Sequence, residues 1–199
     1  MNKRIVFATG NDDKMKEIKM ILSNLGMEVV SMKEAGIDIE VVEDGDTFEE
    51  NALIKATEIA KMLPNDIVLA DDSGLEIDYL DKAPGIYSAR YAGVDTPYTL
   101  KNQMFLDKLR DVKDEKRTAR FVCAIAACFP NGETEVVRGT LEGAIAHEAA
   151  GENGFGYDPI FYLPEYNLTT AQLEPDRKNE LSHRGRALTQ MKEMLRKRI

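Results

Sequence analysis

The run from Thr118 to Ala146, TARFVCAIAACFPNGETEVVRGTLEGAIA, most limits what this chain can become. Two long apolar-rich stretches flank the turn sequence PNGE, so they read as one long antiparallel hairpin. The N-terminal part has a different rhythm. RIVFA (4–8) reads as a short buried strand ended by Thr9-Gly10, and NDDKMKEIKMILSNLG (11–26) as a helix. Asn11 or Asp12 can cap that helix, Met15, Ile18, Leu22 and Leu25 form its apolar stripe, and Gly26 ends it. EVVS (28–31) is a second short strand, and 31–46 is an acidic connection with some strand character. TFEENALIKATEIAKML (47–63) is an amphipathic helix with a Thr47–Glu50 capping box. DIVLA (66–70) and LEIDYL (75–80) read as strands, and the segment after Pro97 as a helix. GENGFGYDPIFYLPEYN (151–167) reads as a Gly- and aromatic-rich loop, and a final helix starts at Ser182. Strand–helix alternation joined to a hairpin predicts an α/β fold whose sheet is not purely parallel.

With 199 residues, 43% of them hydrophobic, the chain can bury a sizeable core and is expected to form one domain over 1–199. The apolar run after MNKR stops at Gly10, too short for a signal peptide, and no later run approaches a membrane span. Cys123 and Cys128 share one apolar strand and point to opposite faces, so they can neither pair nor build a zinc site together. Buried thiols fit a reducing compartment, and the expected location is cytoplasmic. His147 and His183 form no HxxxH pair, which makes a zinc enzyme improbable. A net charge of −9 argues against a nucleic-acid backbone as partner. The charge is uneven, with seven acids and no base from Asp38 to Glu50, and eight bases against two acids from Arg177 onward. The basic end is either a solvated helix face or an anion site facing an acidic, metal-binding one.

Several short stretches carry candidate chemistry. In VLADDSGLEI (68–77) two adjacent carboxylates follow a buried run. Either Asp71 and Asp72 belong to an Asp-Ser-Gly turn, or they do chemistry. Regular strand alternation places them on opposite faces, so only one can point fully into a cleft. A carboxylate at a strand end suits Mg²⁺, and Glu43 can supply a second. Strand, Gly turn and helix start in FATGNDDKMKE make an anion site, with Lys14 in the first helical turn. A cation there opposes the helix dipole unless a phosphate lies between them. At ~100° per residue, Lys55 falls about 20° from Phe48, inside the stripe of Phe48, Ala52, Ile59 and Leu63, with Asn51 one turn before it. Either Lys55 snorkels at the stripe's edge, or it reaches an anionic ligand or the Asp71/Asp72 pair. Phe155, between two glycines in GFGYDP, either plugs a bend or stacks on a base. In KNELSHRGRAL, Ser182 reads as an N-cap with His183 and Arg184 in the first turn.

Taken in order, FATGNDDKMKE, TFEENALIKA, ADDSGLEIDYL, PGIYSARYAG, GFGYDPIF and KNELSHRGRAL resemble the successive motifs of the noncanonical purine NTP pyrophosphatases, also called inosine triphosphate or dITP/XTP pyrophosphatases. The resemblance implies an elongated mixed α/β sheet with flanking helices, two lobes around a central nucleotide-binding cleft, and homodimeric assembly. It implies Mg²⁺-dependent hydrolysis of ITP, dITP or XTP to the monophosphate and pyrophosphate, which cleanses the nucleotide pool. The phosphate-binding segment then maps onto Thr9, Gly10, Asn11, Asp12, Asp13 and Lys14. The general base maps onto Asp72, the metal carboxylates onto Glu43 and Asp72, and a substrate contact onto Ser73; the residue reading adds Lys55. Base recognition maps onto Phe155, Gly156, Tyr157, Asp158, Lys178, His183 and Arg184. The chain departs from the pattern before the last motif, where Leu168 and Gln172 replace a lysine and a glutamate.

Overall fold

The computed structural model describes residues 4–198, without the side chain of Asp13. In chain order the elements are β1 (Arg4–Phe7), α1 (Asp12–Leu22), β2 (Glu28–Ser31), α2 (Phe48–Ala60), β3 (Ile67–Ile77), α3 (Tyr98–Lys108), β4 (Thr118–Cys128), β5 (Thr134–Ile145), β6 (Phe161–Leu163), β7 (Leu168–Thr169), α4 (Pro175–Leu181) and α5 (His183–Arg196), with single 3₁₀ turns between some of them. One mixed sheet has the order β2-β1-β3-β4-β5-β6-β7. β1 lies parallel to β2 and β3, whereas β6 is antiparallel to β5 and β7. The expected α/β class and the β4–β5 hairpin are both present.

The chain divides into two compact units. The first holds the residues up to Asp72, Cys123–Gly139, and the residues from His183 onward. Its core follows from two periods. Ile5 and Phe7, Ile67 and Leu69, and Cys123, Ile125 and Ala127 alternate onto one face of their strands. Met15, Ile18 and Leu22 of α1, with Ala187, Leu188, Met191 and Leu195 of α5, cover that face at helical spacing. Each large side chain fully buried here contributes about 1.5–3 kcal/mol. Cys123 and Cys128 are both buried thiols.

The second unit holds Ser73–Val122 and Thr140–Ser182. Leu75, Ile77, Phe105, Leu109, Phe121, Ile145 and Phe161 lie in its core, where the Phe121 and Phe161 rings stack with centroids 4.2 Å apart. The buried Arg117 guanidinium donates to Ile145 O at 2.8 Å, to Ala146 O at 2.5 Å and to Leu109 O, tying the end of α3 to the end of β5.

Four local expectations need correction. Residues 66–80 do not form strand, turn, strand: β3 runs unbroken through Asp71-Asp72-Ser73-Gly74 to Ile77. Tertiary partners hold these turn-forming residues extended, as described below. The 31–46 connection contains no strand; Val42 and Ile39 are exposed and have no face to bury. Within the 151–167 loop, Tyr162 pairs with Ala144 and Thr169, creating β6 and β7. The final helix does start where expected, α5 beginning at His183 directly after an extended Ser182, and a short additional helix, α4, precedes it. Pro175 at the first turn of α4 is a start signal visible in the sequence. The capping box of α2 is also half-formed: Glu50 N–H donates to Thr47 Oγ1, but the Glu50 carboxylate accepts from Asp46 N–H.

Candidate active site

In the first unit, β1 runs into the Thr9–Asp12 turn that starts α1. Asn11 is the cap: its Oδ1 accepts the Lys14 N–H at 3.0 Å, and its own N–H donates to Thr9 Oγ1 at 3.2 Å. Gly10, Asn11 and Asp12 are exposed, so the helix's positive end opens to solvent. Lys14 also has a partner within the protein. Its Nζ donates to both oxygens of Asp71, at 3.2 and 3.0 Å. A protein carboxylate, before any phosphate, offsets the misplaced cation.

Asp71 is 1% exposed and lies 3.6 Å from the Arg184 guanidinium, which also pairs with Glu17 at 2.8 Å. Burial opposes ionisation of Asp71, but Lys14, Arg184 and Lys55 outweigh it and hold its carboxyl below the usual carboxylate range. Lys55 donates to the Asp71 backbone carbonyl at 3.1 Å and pairs with Glu43. Burial disfavours the Lys55 ammonium, yet Asp71 and Glu43 raise its pKa. Lys55 therefore reaches inward to the acids and does not snorkel.

Asp72, one residue along β3, has other surroundings. Asn51 Nδ2 donates to its carboxylate at 3.0 Å, while Asn51 Oδ1 accepts the Gly45 N–H at 2.9 Å. Asn51 is fully buried and ties the acidic loop to Asp72. Gly45 is required for that approach, since a Cβ there would lie 2.7 Å from Glu50 Cβ and 2.9 Å from Asn51 Oδ1. Glu43, two residues earlier, is thereby held near Lys55. Burial raises the Asp72 pKa to about 6; the charges of Glu43 and Asp71 add to this, and the Asn51 bond and Lys55 oppose it. Adjacent carboxylates are thus pushed in opposite directions, which marks out acid–base roles.

In the second unit, Phe155, Asp158 and Lys178 come together. Asp158 accepts from Phe155 N–H at 2.8 Å and Lys178 Nζ at 2.7 Å through one oxygen, and from Thr170 Oγ1 at 2.8 Å through the other. The Lys178 ammonium also sits 4.8 Å from the Phe155 ring centroid. Gly154 is left-handed at φ +75°, and a Cβ on it would run into Asp158 and lie 2.9 Å from Lys178 Nζ. Asp158 and Tyr157 are buried, and the Tyr157 hydroxyl donates to Ser88 O at 2.7 Å. Ser73, half-buried, follows Asp72 on β3. The expected base-facing set does not stay together within one unit: Lys178 joins Phe155 and Asp158, whereas His183 and Arg184 begin α5 in the first unit. The site residues that sequence reasoning passed over are Asn51, Gly45 and Glu17. Only Asn51 left a signal, as an amide on the apolar stripe of α2.

The sequence model of the Ham1 family matches residues 5–194. This chain belongs to the Ham1 family. Among curated relatives, a dITP/XTP pyrophosphatase of Clostridium perfringens is 49% identical over 199 residues, covering 98% of each chain. One of Bacillus subtilis is 47% identical over 193 residues, covering 97% of each. The solved Staphylococcus aureus Ham1 protein superposes with a TM-score of 0.89 at 43% identity, covering 99% of this chain and 100% of that one. A Coxiella burnetii HAM1 protein gives 0.88 at 42%, covering 98% and 99%. The departure at Gln172 has a local account in this Ham1 chain: Gln172 Oε1 accepts the Thr169 N–H at 2.9 Å, completing a capping box that a glutamate would also complete.

Among the described residues no three His, Cys, Asp or Glu side chains gather as a metal cluster, and no helix is long and apolar enough to cross a membrane. Two carboxylates, Glu43 and Asp72, sit close enough that one raises the pKa of the other. A donor set of two carboxylates suits Mg²⁺, which keeps several waters and takes substrate phosphates as its remaining ligands.

Proposed function

We propose that this chain hydrolyses ITP, dITP and XTP to the monophosphate and pyrophosphate in a Mg²⁺-dependent reaction, clearing deaminated purines from the nucleotide pool. The curated relatives named dITP/XTP pyrophosphatase support the substrate class. The observation that carries the reaction is the split between two neighbouring acids, Asp71 held ionised and Asp72 raised to about 6.

Asp72 is the general base. Its carboxylate, oriented by Asn51, takes a proton from water as the water oxygen bonds to the α-phosphorus. The bond from that phosphorus to the bridging oxygen breaks, and pyrophosphate leaves with the electron pair. Glu43 and Asp72 would hold Mg²⁺, which when bound neutralises triphosphate charge. The Thr9–Lys14 turn at the start of α1 and the Lys14 and Lys55 ammonium groups bind phosphate oxygens. Asp71 is a fixed counter-charge that positions Lys14, Lys55 and Arg184.

Phe155 stacks on the base, and Lys178, His183 and Arg184 supply donors suited to a 6-oxo group. A 6-amino group would leave such donors unpaired, a mismatch worth about 10⁴-fold or more in discrimination. We further propose that residues 1–199 act as one functional domain, as a cytoplasmic homodimer with no nucleic-acid partner.

The test is pyrophosphate release from ITP, XTP, GTP, ATP and modified pyrimidine triphosphates with Mg²⁺. Rates highest with ITP or XTP support the assignment, equal rates on ATP refute it, and preference for a pyrimidine moves the substrate class. Light scattering of the eluted protein measures the assembly.

A further inference from the structure

We propose that Asn102 is a positioning residue for base recognition, holding the Gly156 carbonyl so that Phe155 keeps its ring set for the purine. This rests on the role given above to Phe155. Asn102 lies on α3 and is 5% exposed. Its Nδ2 donates to Gly156 O at 3.1 Å. A carbonyl partner fixes which way the amide faces, and Asn102 Oδ1 is then buried with no hydrogen-bond partner.

That unpaired oxygen is the informative atom. A leucine has a similar branched outline and no acceptor to leave unsatisfied, but it cannot donate to the Gly156 carbonyl. Packing therefore does not explain the amide; its NH₂ group does.

The neighbours of Asn102 on α3 act on the next residue of the same segment, Tyr157. Tyr98, Asn102 and Phe105 share one face of α3 at spacings of four and three. Tyr98 and Phe105 set their rings edge-on to Tyr157, at 5.1 and 5.6 Å between centroids. Gly156 itself is left-handed at φ +68°, a conformation that favours glycine. On the other side of the Phe155–Gly156 peptide, Asp158 holds the Phe155 N–H. The peptide is therefore clamped from both ends, by Asp158 at its start and Asn102 at its end. The sequence resemblance assigned Phe155 to Asp158 but nothing on α3.

The test compares wild type with Asn102→Leu, which removes the donor and the orphan acceptor, and Asn102→Asp, which sets an acceptor against the Gly156 carbonyl. Melting temperature, kcat and KM are measured with ITP, and with methyl triphosphate, which carries the phosphates without a base. Asn102→Leu is expected to raise KM for ITP about tenfold, the worth of one such hydrogen bond, with kcat within about twofold. Its kcat/KM on methyl triphosphate stays at the wild-type value, and Asn102→Asp shows the larger KM effect. A lower melting temperature with equal losses on both substrates would mean a structural role and overturn the proposal, as would an unchanged KM for ITP. Should the wild type fail to cleave ITP, the proposed reaction falls instead. Amide exchange at Gly156 and Tyr157 then decides: faster exchange in Asn102→Leu supports the clamp, and unchanged exchange removes it.

Discussion

Asp72→Asn is expected to make the metal-free protein more stable while removing its turnover. Asp72 has a pKa of about 6 in the folded chain against 3.8 for an ordinary aspartate. At 1.36 kcal/mol for each pKa unit, keeping it ionised costs the fold about 3 kcal/mol. The sign follows from proton binding. Between pH 3.8 and about 6 the folded state holds the proton that the unfolded state has released, so stability falls as pH rises through that window and levels above it. Asparagine keeps the shape and can still accept the Asn51 bond without the charge. The gain should be near zero at pH 4 and reach about 3 kcal/mol at pH 8, or about 6–12 °C in melting temperature for a chain of this length. Thermal melts of both proteins from pH 4 to 8 in a chelating buffer read this directly. With Mg²⁺ and ITP, the same variant should lose about 10²–10⁴-fold in kcat. A gain that does not change with pH, or a loss of stability at pH 8, refutes the account of Asp72. Asp71→Asn provides the opposite case. Asp71 is depressed, so its contribution is present above pH 3.8 and is lost only as pH falls through a folded value below the carboxylate range. Removing its charge at neutral pH leaves Lys14 and Arg184 facing an amide and should destabilise by about 3–5 kcal/mol.

Three further outcomes follow from the same geometry. Gly154→Ala places a methyl group against Asp158 in a left-handed backbone; it should destabilise by about 1–3 kcal/mol and lower the ITP-to-ATP rate ratio, read by melting and by pyrophosphate release. Lys178→Met leaves the buried Asp158 carboxylate without its cation at 2.7 Å; urea unfolding at pH 7 should show a loss of about 3–5 kcal/mol. Removing divalent ions with a chelator should abolish turnover and leave the fold intact by circular dichroism, with activity returning on adding Mg²⁺.

What the sequence makes legible depends on how far apart the cause and the effect lie along the chain. The core strands and helices are visible because alternation in Cys123, Ile125 and Ala127, and helical spacing in Met15, Ile18 and Leu22, are local patterns. The cap at Asn11 is local too. β6 is not legible, because Phe161–Leu163 is strand only through pairing with Ala144, Ile145, Leu168 and Thr169. The continuity of β3 fails for the same reason. Asp-Ser-Gly favours a turn on its own, and what holds Asp71 and Asp72 extended comes from α1, α2 and α5. Lys14 binds the Asp71 carboxylate, Lys55 its carbonyl, and Asn51 the Asp72 carboxylate. None of those pairings leaves a mark in the string ADDSG itself.

The same continuity explains how one dipeptide supplies two kinds of carboxylate. In a turn, Asp71 and Asp72 would share solvent, and each would titrate near an ordinary aspartate. On an unbroken strand the pleat sends them to opposite faces, where different helices meet them. Asp71 meets cations from both ends of the chain, Lys14 from α1 and Arg184 from α5, and ionises. Asp72 meets an amide and another acid, Asn51 and Glu43, drawn from the thirty or so residues before it, and is pushed towards its protonated form. Lys55 touches both sets, through the Asp71 carbonyl and the Glu43 carboxylate. Moving β3 by one residue would turn both acids to the opposite faces, away from the partners each now has. The register of β1 against β3, Ile5 with Ile67 and Phe7 with Leu69, therefore decides which of the two acids is poised to accept a proton.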